Sequence, residues 1–252
     1  MSASLAAIYR HPLKAIGREA LDRVELIVGE PLPWDRAFAI AHENARPSDL
    51  AEPWAHKVNF LRGVSGPELM AVTCAFDEQT KTLTLHHPRQ DSFTGSLDQP
   101  ECQTELLGWL DTLWPEAFPR PASLHATGTA QTDVPNPWVA INSVTANRMV
   151  AQKLGDPDLS IHRWRGNLWV EGLGPWEEFE WLGRDLRIGD ATLRVRERIT
   201  RCKATMANPG TGKRDLDTLA ALEDGWGHTD FGVYAEVING AMIQPGDFVE
   251  VV

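Results

Sequence analysis

A chain of 252 residues with 42% hydrophobic content is long enough for one large domain or two smaller ones, each with a full core. Its 35 acidic residues against 24 basic ones leave a net charge of -11, which repels nucleic-acid phosphates and anionic membranes, so neither is expected as a partner. No apolar run approaches the ~18 residues of a membrane span, MSASLAAIYRHPLK lacks the apolar core of a secretory signal, and three cysteines without a CxxC pairing make neither a disulfide framework nor a structural zinc site, so a cytoplasmic protein with reduced thiols is expected.

In chain order, LAAIYRHPLKAI, REALDRVELIV and WDRAFAIAHE read as short strands separated by Gly, Pro or Glu-Pro punctuation. LMAVTCAFDEQTKTLTLHH predicts a hairpin turning around Asp77 to Thr80. Leu106, Leu107, Leu110, Leu113 and Trp114 recur at helical spacing and predict a helix over residues 101–114. The proline-dense PEAFPRPAS, residues 115–123, marks a boundary between two halves. Next, NSVTANRMVAQKLG predicts a helix with Asn142 or Ser143 at its N-cap and Gly155 just past its end. NLWVEGL is a strand. DLRIGDATLRVRE and VYAEVINGAMIQPGDFVEVV both predict hairpins, the second turning at Asn239-Gly240, with DTLAALEDG as a short helix ending at Gly225 between them. The sum is a mainly β (α+β), barrel-like protein with a few helices.

Of the common chemical motifs, ANPGTGKR approximates a phosphate-binding loop, but Ala207 stands at its first glycine and Arg214 where a magnesium-binding Ser or Thr belongs. There is no GxSxG elbow and no HExxH helix, and HEN at 42–44 and HHP at 86–88 read as surface or strand-edge residues. Cys202 lies in TRCKATMANPGTGKRD between Arg201 and Lys203, and composition leaves it open as a core thiol, redox thiol, nucleophile or metal ligand. Strand alternation, if it continues that far, turns both flanking cations to the face opposite the thiol.

RCKATMANPGTG, followed by DFGVYAEV and GAMIQPGDFVEV, resembles the end of the MOSC domain, shared by molybdenum cofactor sulfurases and the mitochondrial amidoxime-reducing component. RWRGNLWV resembles that family's arginine-x-asparagine strand, and RIGDATLRV the strand pair before its cysteine. YRHPLKAIG and PWDRAFAI resemble the lysine and arginine segments of the β-barrel domain that precedes MOSC in the reductase branch. The resemblance therefore implies an N-terminal β-barrel-like domain over 1–120 and a MOSC domain over 121–252.

It also implies a molybdenum cofactor (Mo-molybdopterin) whose sulfur ligation Cys202 completes, as metal ligand and sole catalytic side chain. A soft thiolate suits such a centre. Lys14, Arg36, Arg165, Asn167 and Thr145 match the family's cofactor-holding positions, and Arg201 either stabilises the thiolate or faces solvent. The implied activity is reduction of N-hydroxylated compounds, with the oxygen of the N-O bond passing to molybdenum. Since the chain stops at DFVEVV, electrons are expected from a separate iron-sulfur, flavin or cytochrome protein. Tyr234 either contributes to substrate choice or packs in the barrel. Three departures stand out: Ala15 where many members have Ser, Gly166 where Pro is usual, and Asn142 where Ser is common. The alternative reading is a cofactor-delivery or sulfur-carrier protein without reductase turnover.

Overall fold

The computed structural model describes residues 3–252. In the first half, strands β1 (Ser4–Arg10), β2 (Glu19–Leu21), β3 (Val24–Glu25) and β4 (Ala39–His42) precede the single-turn helix α1 (Pro47–Leu50). β5 (Thr73–Asp77), β6 (Thr82–His87) and β7 (Gln90–Ser96) then form a three-stranded meander, followed by α2 (Pro100–Asp111) and β8 (Pro121–His125). The second half runs β9 (Val139–Ser143), α3 (Val144–Leu154), β10 (Leu168–Glu171), β11 (Asp185–Ile188), β12 (Ala191–Thr200), α4 (Thr218–Trp226), β13 (Asp230–Asn239), β14 (Met242–Ile243) and β15 (Val249–Val251).

The protein is mainly β, as its composition and alternation predict. Eight strands pair in the order β15-β11-β12-β13-β9-β10-β1-β2. A bridge between Ser4 and Phe248, with Leu5 N-H donating to the Asp247 carbonyl at 2.8 Å, brings the β15 end back to β1 and curls the sheet into a barrel. Inward-facing Leu5, Ile8, Val139, Ile141, Leu193 and Val233 fill it. A second core, including Phe38, Phe76, Leu85, Phe93, Leu106 and Leu110, lies between the meander, α2 and the 34–40 segment. β1 belongs to the large sheet and Val24, Leu26 and Leu32 to its core, whereas Leu13, Ile16 and residues 38–114 supply the second core, so the chain passes between the two cores within its first forty residues.

Local signals account for most of these elements. Ser143 caps α3, its hydroxyl accepting from Ala146 N-H at 3.1 Å, and Gly155 ends the helix at φ +69°. The hairpin at Asp77 forms as predicted, and its third strand, β7, escaped notice because only Phe93 and Gly95 of QDSFTGS are buried.

Two expectations require correction. The segment after Asn239-Gly240 does not fold back as a hairpin. β13 is already paired on both edges, with β12 and β9, so β14 pairs with β3 instead. Gly240 is the crossing point, since a Cβ there would sit 2.4 Å from the Leu26 carbonyl oxygen. α4 also runs past Gly225 to Trp226, whose indole packs 4.8 Å from that of Trp176, and stops at Gly227, which takes the left-handed φ of +73°.

Candidate functional site

A cavity of about 570 Å³ opens where the two halves meet. Of the residues singled out above, Lys14, Arg36, Arg165, Asn167, Arg201 and Cys202 line it, although 188 positions separate the first from the last. Thr145 does not. Its hydroxyl donates to the Leu173 carbonyl at 2.9 Å, tying the first turn of α3 to the loop after β10. Thr145→Ala should therefore cost stability, about 1 kcal/mol, which melting curves of purified protein check.

β12 ends at Thr200, three residues short of Lys203, so the alternation argument does not reach Cys202. Arg201 turns inward, and Cys202, exposed rather than buried in the core, begins a 3-10 turn over Lys203–Met206. Backbone bonds hold the thiol's position on both sides: Arg201 N-H donates to the Thr229 carbonyl at 2.9 Å, and the Cys202 carbonyl accepts from the Thr205 amide at 3.1 Å and hydroxyl at 3.0 Å. The Arg201 side chain donates to the carbonyls of Trp164 at 2.7 Å and Phe231 at 2.8 Å. Burial lowers its pKa to about 10, so it stays cationic at neutral pH beside the thiol.

The basic residues come from strained or tightly held backbone. Arg36 and Arg165 adopt left-handed φ values of +52° and +49°, and Ala15 next to Lys14 adopts +63°. For residues with a Cβ such conformations are costly and persist only where the surroundings impose them. Arg36 pairs with buried Asp35 and donates to the Arg165 carbonyl at 3.0 Å, coupling the two segments directly. Burial opposes charge on both members of this pair, but the guanidinium holds the Asp35 carboxyl below its usual range, and the carboxylate holds Arg36 above its own. His11, whose backbone N-H donates to Asp35 at 2.8 Å, is pushed to about 3 by burial and the nearby Arg165 charge, and is neutral.

Lys14 donates to the Gln131 carbonyl and to Asp133, each at 2.7 Å, leaving one ammonium N-H. Burial lowers its pKa, and Asp133 works against that fall. Arg165 donates through Nη1 to the Gly17 carbonyl at 3.0 Å, while its Nη2 is buried without a partner among the described residues. Burial and the neighbouring Arg36 charge drive its pKa down to about 9. Asn167 differs from expectation: its amide accepts from Ala140 N-H at 3.2 Å and donates to the Tyr9 carbonyl at 3.1 Å, clamping β1 to β9 at the cavity wall.

Several lining residues escaped the sequence reading. Lys57 and Arg62 lie in a segment with no motif, and Asp133, Trp138 and Glu197 looked like ordinary loop and strand positions. Tyr234, left open between cavity and barrel, lines the cavity with its ring 6.0 Å from that of Trp138. Eight basic and two acidic side chains, Asp133 and Glu197, line the cavity, and although Asp35 and Asp215 behind its wall pair with Arg36 and Arg163, cations remain in excess in a chain whose net charge is -11. Such a surplus, together with the orphaned Arg165 N-H, fits an anionic ligand bearing a phosphate. Among the described residues no cluster of three His, Cys, Asp or Glu could hold a metal alone, and no helix is long and apolar enough to cross a membrane.

What fold and cavity define is a β-rich protein that presents one exposed cysteine at the edge of a cationic pocket. Residues 136–250, a little under half of the chain, match the MOSC domain. It is 29% identical over 253 aligned residues to the molybdenum cofactor sulfurase of Caenorhabditis briggsae, covering 96% of this chain and 34% of that protein. To the molybdenum cofactor sulfurase of Anopheles gambiae it is 33% identical over 101 residues, covering 36% of this chain and 13% of that protein. It thus spans about a third or less of the length of these relatives. Among solved structures, the YuaD protein from Bacillus subtilis aligns over 100% of this chain and 96% of its own, at 14% identity and a TM-score of 0.48. YiiM from Geobacillus stearothermophilus aligns over 45% of this chain and 53% of its own, at 18% identity and a TM-score of 0.34.

Proposed function

We propose that this protein binds the molybdenum cofactor and uses it to reduce N-hydroxylated compounds. The observation that carries the reading is the convergence of Lys14 and Arg36 with Arg165, Arg201 and Cys202 on one cavity, with a buried Arg165 N-H lacking a protein partner. Lys14, Arg36 and Arg163 pair with Asp133, Asp35 and Asp215, as a structural cluster of charges would. Arg165 and Arg201 differ: they donate to carbonyls and an amide oxygen and have no carboxylate partner among the described residues.

In this reading Cys202 provides the protein's sulfur to the metal, as a soft ligand rather than as a nucleophile. Lys14, Arg36 and Arg165 hold the cofactor's phosphate, with Lys57 and Arg62 adding charge around it. Bound there, the cofactor would supply the two-electron, oxygen-accepting chemistry that no side chain performs. Trp138 and Tyr234 wall the cavity and restrict water around a bound substrate. Burial raises the Tyr234 pKa, so its phenol is a neutral O-H donor at neutral pH. We assign residues 1–120 as the family's N-terminal domain, with β1 and the Val24 to Leu32 segment lent to the large sheet and its core, and electron supply to a separate iron-sulfur, flavin or cytochrome protein.

The test is molybdenum and released pterin per chain in protein made by a host competent in cofactor synthesis, followed by reduction of benzamidoxime with a reduced artificial donor. Near-stoichiometric metal and turnover are expected. The name shared by the two relatives, with the exposure of Cys202, favours as a second reading a sulfur-carrier or cofactor-delivery role. Transferable sulfane sulfur on metal-free protein, without turnover in the loaded form, would decide for it.

A further inference from the structure

Asn142 lies on the central strand β9, fully buried, between two glycines contributed by neighbouring segments. A Cβ on Gly166 would sit 2.3 Å from its Nδ2, and one on Gly232 would sit 2.2 Å from its Oδ1. Non-bonded atoms do not approach so closely, so the amide is wedged where larger residues on either side would displace it. Gly232 also needs its left-handed φ of +74°. In this wedge Oδ1 accepts from Arg201 Nη2 at 3.2 Å, whereas Nδ2 is buried without a partner among the described residues. An orphaned donor is destabilising, and a leucine of similar size would avoid it; the bond to Arg201 is what the amide gains in exchange.

That bond matters because of what Arg201 joins. Its other acceptors are the carbonyls of Trp164 and Phe231, whose rings stack at 3.9 Å, and its backbone begins the turn that presents Cys202. We infer that Asn142 is a positioning residue: wedged between Gly166 and Gly232, it fixes the Arg201 side chain and through it the turn that carries Cys202. The inference rests on the reading of Cys202 as the metal's protein ligand for its functional meaning, but not for its test.

Hydrogen exchange on metal-free protein reads the turn directly, through the Arg201 and Thr205 amides. Asn142→Leu, which keeps the volume and removes the acceptor, should speed exchange there several-fold and leave the barrel strands as protected as before. Asn142→Asp, which keeps the acceptor, should stay within about twofold of the natural protein. Gly166→Ala, which pushes the amide aside from the other direction, should reproduce the leucine pattern and guards against a leucine variant that fails to fold. Unchanged exchange at residues 201–205 in whichever of these two variants folds overturns the inference, as does a uniform rise across the molecule or failure of both to fold. If cofactor binding fails while the local exchange pattern holds, the proposed function falls and the positioning role stands. If both hold, the loaded leucine variant should lose kcat with KM little changed.

Discussion

Under the proposed reductase function, replacing Cys202 with serine should lower benzamidoxime reduction at least about a hundredfold while leaving the fold intact. Removal even of groups that only support metal ligands typically costs about 10–100-fold, and a thiolate contributed directly to the metal should matter no less. Serine's hydroxyl is hard and stays protonated at neutral pH, a poor substitute in sulfur-rich ligation. Because Cys202 is exposed and its turn is held by backbone and Thr205 contacts, stability should change by no more than about 0.5 kcal/mol. Pterin should remain bound in part, since the basic residues that would hold its phosphate are untouched. Initial rates, metal and pterin analysis and melting curves check the three components, and serine protein turning over at the natural rate would remove Cys202 from the chemistry.

Arg165→Met should have opposite effects on stability and on binding. In the empty cavity this guanidinium is desolvated, faces the like charge of Arg36, and has one N-H with no partner among the described residues. An apolar side chain of similar length removes that penalty at the cost of one bond to the Gly17 carbonyl, so the cofactor-free variant should be more stable by on the order of 1–3 kcal/mol. The pH dependence follows from the direction of the shift. A base whose folded pKa has fallen to about 9 carries its full penalty below that pH, where folding must retain the charge. The penalty lessens as pH rises from about 9 toward the ordinary arginine value, so the advantage of the variant should be largest at pH 7 and shrink above pH 9. Cofactor retention should fall sharply at the same time. Denaturant melts at pH 7 and 10 with pterin analysis test this; a variant less stable than the natural protein at pH 7 would mean that Arg165 is a structural cation.

Helix α3 was readable to within a residue because its cap and stop are local: Ser143, one of two candidates, before it and Gly155 after it act within one turn. The Asp77 and Gly189-Asp190 hairpins were readable for the same reason. The partner of Met242–Ile243 was not, because strand pairing depends on which edges are already taken, and β13 had none free. Cys202 was identifiable from its neighbours as a residue of interest, but its exposure was not, since that depended on β12 ending at Thr200. Asn167 and Thr145 show the limit of matching residue types: both polar groups are engaged by backbone, a fact carried by partners 27 to 158 positions away.

The amino-acid sequence alone determined the β-rich class, the ends of α3 and the acidic balance, because alternation, capping and charge are properties of neighbouring residues, whereas Lys14, Arg36, Arg165 and Cys202 stood out through the resemblance of their segments to a known family. Only the tertiary structure decided that these segments meet in one cavity, that Lys57, Arg62, Trp138 and Tyr234 join them, and that Asn142 is held between Gly166 and Gly232. Those are contacts between residues far apart in the chain, set by the closing of the sheet and by which buried polar groups find partners.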